Sequence, residues 1–375
     1  IAKANEIIGL YPEGPETDAA KALLGQALAM RAFAYYYLVQ LYQFPVTASG
    51  AVNYDAPAVP LIFTVADGLS TEEIDSFKGR NTVKDVYDAI EADLDKAVEY
   101  LAGYTRPSKV YVDQSVAYGI QARYYLLSQQ WEKAATAAKN ARAGYPIMDN
   151  DGLHDGFMYI SNSEWMWGFK HTSETETTYA SFFSHIANLA TGYAGLDYSA
   201  KLIDANLYSQ IPDDDYRKDL FNGPDGDESQ PTAGAQVPYA NLKFGNTGDW
   251  CMDYLYMRAS EMVLIEAEAL AQQGKTADAA KVLKELMSKR QPSWNRATAS
   301  VEDVYLQRRI ELWGEGFAYF DLKRLNKGID RTYEGTNHDP AYLLKVPAQD
   351  VRWCYQIPLT EINENTHISE SDQNE

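Results

Sequence analysis

The residue types that ordinarily carry catalysis are present but scattered. Five histidines (His154, His171, His185, His338 and His367) lie far apart, and none forms an H-E-x-x-H or other paired zinc spacing. No G-x-S-x-G elbow, phosphate-binding loop or dinucleotide fingerprint occurs. The densest acidic run is Asp213, Asp214 and Asp215, followed by Tyr216 and Arg217. It lacks the ligand spacing of a calcium loop, so it is expected to be a solvated turn with one Asp paired to Arg217. Asp149 to Asp155, with Gly152 inside and Gly156 next to it, is a second acidic loop with weak cation potential. Cys251 and Cys354 are far apart and form neither a metal-type spacing nor a disulfide framework. Carboxylates are plentiful, so a glycosidase-type pair stays open on inventory alone. The expectation is no catalytic residue, no metal ligand and no cofactor.

The aromatic residues say more. The chain has 28 Tyr and seven Trp in 375 residues, and a buried phenol hydroxyl needs a partner, so part of this set belongs at surfaces. Tyr179, Phe182, Phe183, Tyr193, Tyr198, Tyr239 and Trp250 lie among Ser, Thr, Asn and Gly. Sugar rings stack their C–H faces on aromatic planes, while Asn, Asp, Gln and Arg satisfy sugar hydroxyls. Tyr179, Tyr193, Tyr198, Tyr239 and Trp250, with Asn53 from an earlier loop, are therefore the candidate ligand-binding residues, for a glycan. Trp165 and Trp167 alternate within Glu164–Phe169, which has the pattern of a strand with both rings in the core on one face. A net charge of −20 argues against nucleic acid and anionic membrane surfaces as partners.

Helical periodicity supplies the elements that must hold these residues. Ala20, Leu23, Ala27, Met30, Ala34, Tyr37 and Leu41 recur at spacings of three and four, with Pro45 beyond them. Val83 to Leu101 forms a second stripe, with Asn81 or Thr82 available as its cap. Ala117 to Leu127 and Trp131 to Ala141 form a third and fourth. A second helical block is expected to start near Tyr254 and to turn at Gly274. It continues to Phe320, with Gly314 and Gly316 breaking its last stripe into two helices. Ala122, Ala134 and Ala138 share their spacing with Ala267, Ala279 and Leu283, a pattern found in tetratricopeptide hairpins and in other tight helical hairpins. Between the blocks, residues 146–250 lack periodicity and are far longer than an ordinary connection. The expected architecture is mostly α, a superhelix of four tetratricopeptide-like helix pairs with a large irregular insertion. Residues 1–145 hold the N-terminal pairs and a loop at 43–80, 146–250 the binding insertion, and 251–375 the C-terminal pairs and closing segment. No apolar stretch reaches the roughly 18 residues needed to cross a bilayer.

Several of these segments together resemble one known family. Arg31 to Leu38, running on to Leu41, Tyr42 and Pro45, is similar to the first long helix of the SusD/RagB family. Arg80, Thr82, Val83, Val86, Tyr87, Ile90, Asp93 and Leu94 resemble its next helix, and Ala117, Ala122, Arg123, Tyr125, Leu126, Trp131 and Ala134 its following pair. Arg258, Glu261, Leu264, Glu266, Ala267 and Glu268 match a later helix. Arg308, Arg309, Glu311, Leu312, Glu315, Phe320, Asp321, Leu322, Lys323 and Arg324 match its strongest motif, and Ile357, Pro358, Glu361 and Asn365 its end. The resemblance implies one SusD-like domain over 1–375 that captures oligo- or polysaccharide without catalysis on the outer membrane of Bacteroidetes-type bacteria. It implies a lipid anchor upstream of Ile1 and a TonB-dependent, SusC-like transporter as partner. The chain is short for this family, so reduced loops are expected. A protein-interaction scaffold, a binder of peptide-type nutrients and an α-helical glycosidase are the alternatives. Arg258, Glu261, Glu266, Arg309, Glu311, Asp321 and Arg324 fall within apolar helices, where ion pairs between hairpins are their expected role.

Overall fold

The computed structural model describes residues 1–175 and 181–374. Helix α1 (Ala2–Ile8) packs on α2 (Asp18–Tyr42), which starts where the Thr17 hydroxyl accepts the Ala20 N–H. Helix α3 (Val83–Tyr100) opens on a full capping box: Thr82 accepts from Asp85 N–H, and the Asp85 carboxylate accepts from Thr82 N–H. Helices α4 (Gln114–Leu127) and α5 (Trp131–Ala141) form a hairpin, and α3 packs on both α2 and α4. After the irregular segment come α6 (Ala259–Gln272), α7 (Thr276–Met287), α8 (Val301–Glu311) and α9 (Ala318–Arg324). Helix α6 packs on α5, α7 and α8, with Met262 and Ile265 buried among the N-terminal helices and Val263, Leu264 and Ala267 among the C-terminal ones. Ala122, Ala134, Ala138, Ala267 and Ala279 are fully buried, which lets these backbones approach closely.

Two strands join the irregular segment to this scaffold. Strand β1 (Trp165–Phe169) pairs antiparallel with β2 (Tyr254–Arg258). The expected second helical block thus begins at Ala259, because Tyr254–Arg258 is drawn into a ladder with β1. Register shifts on either side of Trp167 break the simple alternation. As a result Trp165 and Trp167 do not share one core. Trp165 is buried with Phe157, Phe183 and Phe244, whereas Met166 and Trp167 are buried with the N-terminal helices. The ladder is the seam between two hydrophobic cores. A second small sheet joins β3 (Ile329–Asp330) and β4 (Lys345–Val346).

Among the described residues of 146–250, the remaining elements are helical turns of five residues or fewer, such as Ala205–Ser209. The protein is therefore mostly α with two small sheets. No described helix is long and apolar enough to cross a membrane.

Candidate functional site

The charged residues of the C-terminal motif build a buried clamp. Arg258 donates to Glu164 (2.9 Å), to both Glu311 Oε1 (2.7 Å) and the Glu311 carbonyl (2.8 Å), and to Glu315 (2.8 and 2.9 Å). Arg290 adds two bonds to the Glu311 carboxylate and one to the Met148 carbonyl. Lys243 reaches the Glu311 and Trp313 carbonyls and Glu315. Burial would raise the pKa of Glu311, but Arg290 and Arg258 hold it well below the usual carboxylate range. The clamp ties the turn after α8 to the start of α6 and to β1. Elsewhere Arg123 pairs with Glu261, Arg142 with Glu266, and Arg324 with Glu268 and Asp321. Arg309, expected in an ion pair, instead stands over the Tyr305 ring, while its neighbour Arg308 holds Asp321 at 2.7 Å. In the 213–215 run, Asp213 and Asp214 are exposed in a turn, as expected. Asp215 does pair with Arg217, at 2.6 Å, but both side chains are buried.

The clamped turn contains Gly314 (φ 77°) and Gly316 (φ 88°), a conformation that costs other residues roughly 1–2 kcal/mol. At Gly314 a Cβ would also come within 2.5 Å of the Phe244 ring. This close turn, with Glu315 between its two glycines, forms one wall of a pocket of about 230 Å³ whose other walls include Phe182, Phe183, Phe244, Tyr254 and Tyr256. Strand β2 positions Tyr254 and Tyr256. The Tyr254 hydroxyl accepts the Phe182 N–H at 3.2 Å, and the His171 ring meets the Tyr254 ring edge-on at 4.3 Å. Asp253 fixes the flanking loops by accepting from Ile160 N–H and His171 N–H, both at 2.9 Å. Phe169, Phe182 and Tyr256 remain 39–40% exposed. Half-exposed rings held on a rigid ladder are suited to stacking on an apolar ligand face. Among the described residues no cluster of three or more His, Cys, Asp or Glu is placed to hold a metal ion.

The sequence-derived candidates divide into groups. Tyr193 and Tyr198 stand on successive short turns and are 46% and 83% exposed, and the Tyr193 ring stacks on His185 at 5.0 Å and 18°. Trp250 is half-buried behind Tyr193, with its ring edge against Gly192. Tyr239 is half-buried and meets Tyr208 edge-on at 5.5 Å, while its carbonyl accepts the Ile203 N–H. Asn53 lies elsewhere, in the loop after the first long helix, where its side-chain amide donates to the Phe44 carbonyl. Tyr179 lies outside the described residues. The structure adds Phe169, Tyr254 and Tyr256 to the aromatic set. Alternation in β1 pointed to a strand, but nothing local marked Tyr254–Arg258 as its partner.

Known proteins resemble this chain along most of its length. A family profile described as starch-binding, associating with the outer membrane, matches residues 1–126, and the SusD family profile matches residues 239–375. SusD-like protein P2 of Formosa agariphila is 25% identical over 373 residues, covering 88% of this chain and 70% of the relative. A crystal structure of a SusD-like carbohydrate-binding protein from Bacteroides vulgatus superposes with a TM-score of 0.80 at 26% identity, over 99% of this chain and 82% of the other. A SusD superfamily structure from Bacteroides thetaiotaomicron gives 0.79 at 23% identity, over 100% and 83%, a likeness of fold.

Proposed function

The chain belongs to the SusD/RagB family of non-catalytic binding proteins, and from that premise we propose that it captures a glycan at the cell surface for delivery to a TonB-dependent transporter. The observation that carries the reading is the group of half-exposed rings around the turn at Gly314–Gly316. Phe182, Tyr254 and Tyr256 offer platforms for sugar C–H faces, and Tyr193 and Tyr198 form a second platform supported by His185 and Trp250. Several modest stacking contacts suit a ligand that must be released again to a partner. The partner is a SusC-like transporter, and a lipid anchor upstream of Ile1 holds the protein to the outer membrane.

The scaffold in this reading is one domain of four tetratricopeptide-like pairs: α2 with α3, α4 with α5, α6 with α7, and α8 with α9. Packing within the first three pairs supports this, as does the Arg308–Asp321 bridge in the fourth. Residues 146–250 form the binding insertion. Such arrays present insertions on one face of a stiff support.

Affinity gel electrophoresis against a panel of soluble polysaccharides tests the proposal, with Tyr256→Ala, Tyr193→Ala and Trp250→Ala run beside the parent. We expect retardation by at least one glycan without release of product. Tyr256→Ala should bind about tenfold more weakly, roughly 1.4 kcal/mol. Failure of every glycan to retard the protein would defeat glycan capture and favour a peptide-type nutrient or a scaffold role.

A further inference from the structure

Gly314 and Gly316, which line the aromatic pocket, also line a second cavity, of about 540 Å³. Its wall carries Arg308, Arg309, Arg331 and His338 together with Trp313 and Tyr319. The state of these arginines sets the cavity apart. The chain has 14 arginines and 53 acidic residues, so a guanidinium without an acceptor is the exception. Twelve of the 14 donate to a carboxylate or a backbone carbonyl. Even Arg80, which forms no ion pair among the described residues, spends its donors on the Ala58, Pro57 and Asp372 carbonyls. Among the described residues, the side chains of Arg309 and Arg331 alone have no such acceptor, and both line this one cavity. Arg309 reaches only the ring of Tyr305, at 5.9 Å. Arg308 adds to the imbalance: its Nε is held by Asp321, while its buried Nη1 finds no acceptor and lies in the group facing the Phe317 ring.

The two acids in the wall do not offset this charge. Asp321 is shared between Arg308 and Arg324. Asp204 accepts from the Tyr333 hydroxyl at 2.8 Å and from His338 Nε2 at 3.1 Å, and it caps Leu207 N–H. Two half-buried guanidiniums in a protein of net charge −20 therefore line a cavity whose two acids are both engaged by other donors. Guanidinium groups present planar forks of donors that match the oxygens of a carboxylate or a sulfate, and partial burial strengthens such bonds.

We propose that this cavity receives an oxyanion carried by the captured glycan, the carboxylate of a uronic acid or a sulfate ester, so that the preferred ligand is an acidic polysaccharide. The inference rests on the glycan-capture reading and narrows its substrate class. A sugar stacked on Phe182 and Tyr256 lies beside the Gly314–Gly316 turn, and the next residues of the same chain pass over its two glycines to bring their anionic group to Arg309 and Arg331. Aromatic stacking supplies contact area, and the arginine pair selects charge.

Arginine Nε–Hε resonances of the ¹⁵N-labelled protein give the test, with galacturonate, inorganic sulfate, galactose and matched sodium chloride as probes. Saturable shifts of Arg309 and Arg331 with galacturonate or sulfate, absent with galactose and chloride, are the expected result. A response to galacturonate alone assigns the site to carboxylates, and a response to sulfate alone assigns it to sulfate esters. In parallel, polygalacturonate and dextran sulfate are titrated into the parent and the R309Q/R331Q double variant. At least one is expected to bind the parent, with a loss of tenfold or more in the variant and weakening as salt rises. No shift at either arginine with any anion overturns the proposal. Retardation by a neutral glycan that is equal in parent and variant, alongside silent arginines, also overturns it while leaving glycan capture in place. If no glycan binds at all, both readings fall together.

Discussion

Arg308 and Arg309 are neighbours in sequence, yet the surrounding structure treats the charges on the two sides of this helix end in opposite ways. On the side of the clamp, Arg258, Arg290 and Arg217 converge on Glu311 and Glu164 with every carboxylate oxygen engaged and no side chain more than 1% exposed. On the side of the cavity, Arg309 and Arg331 are half-buried and meet no acid. Buried charge must be satisfied inside the fold, and once it is, it holds geometry and is closed to ligands. Charge left unsatisfied at a cavity wall contributes nothing to the fold and is open to a ligand. The same residue type is thus structural in one place and available for recognition a few ångströms of backbone away.

Breaking the clamp gives the largest expected effect. Glu311→Gln leaves three guanidiniums short of their shared anion and should lower stability by about 3–5 kcal/mol, read as a fall in the urea midpoint. A loss below about 1 kcal/mol would mean that the clamp is not what holds the turn.

Lys323 is an intermediate case, a buried cation whose acceptors are carbonyls. It donates to the Gln40 carbonyl and, at 2.7 Å, to the Trp353 carbonyl. Burial depresses its pKa from 10.5 to about 8, against a small opposing pull from the Cys354 thiol, which burial itself pushes up. Between pH 8 and 10 the unfolded chain therefore binds the extra proton, and this group adds stability as pH rises, by about 1.4 kcal/mol per unit at the steepest. Subtracting the pH–stability curve of Lys323→Met from that of the parent isolates the slope. A flat difference would show the lysine to be stabilised as a cation after all.

Gly316→Ala should cost about 1–2 kcal/mol from backbone conformation alone, because no atom lies within 4 Å of the added Cβ. An unchanged melting temperature would mean that the turn relaxes. The smallest effect belongs to the cavity arginines. The R309Q/R331Q variant should stay within about 0.5 kcal/mol of the parent, and a larger loss in thermal unfolding would assign these residues a structural partner.

The helices were legible because their signals are local. Thr82 caps a helix three residues from its acceptor, Pro45 and Gly314 stop or break a stripe, and the expected N-terminal helix ends lie within a few residues of the observed ones. The motif charges were legible as ion pairs for the same reason: a charge placed in an apolar stripe must find a partner somewhere. The candidate site was less so. Tyr193 and Tyr198 do lie at the surface, but Tyr239 and Asn53, also in irregular segments, are half-buried against other residues of their own loops. A neighbour along the chain does not say which face of a loop will be covered.

The sequence by itself thus determined the helical scaffold, its capping and the presence of buried ion pairs, since each depends on residues three or four apart or on a charge that cannot be buried alone. Only the tertiary structure decided that Tyr254–Arg258 is a strand, that Arg308 pairs with Asp321 while Arg309 pairs with no acid, and that the cavity lined by two unpaired arginines shares Gly314 and Gly316 with an aromatic pocket. A strand's hydrogen bonds and an arginine's acceptors come from residues far along the chain, and no local pattern specifies which of many possible partners will arrive.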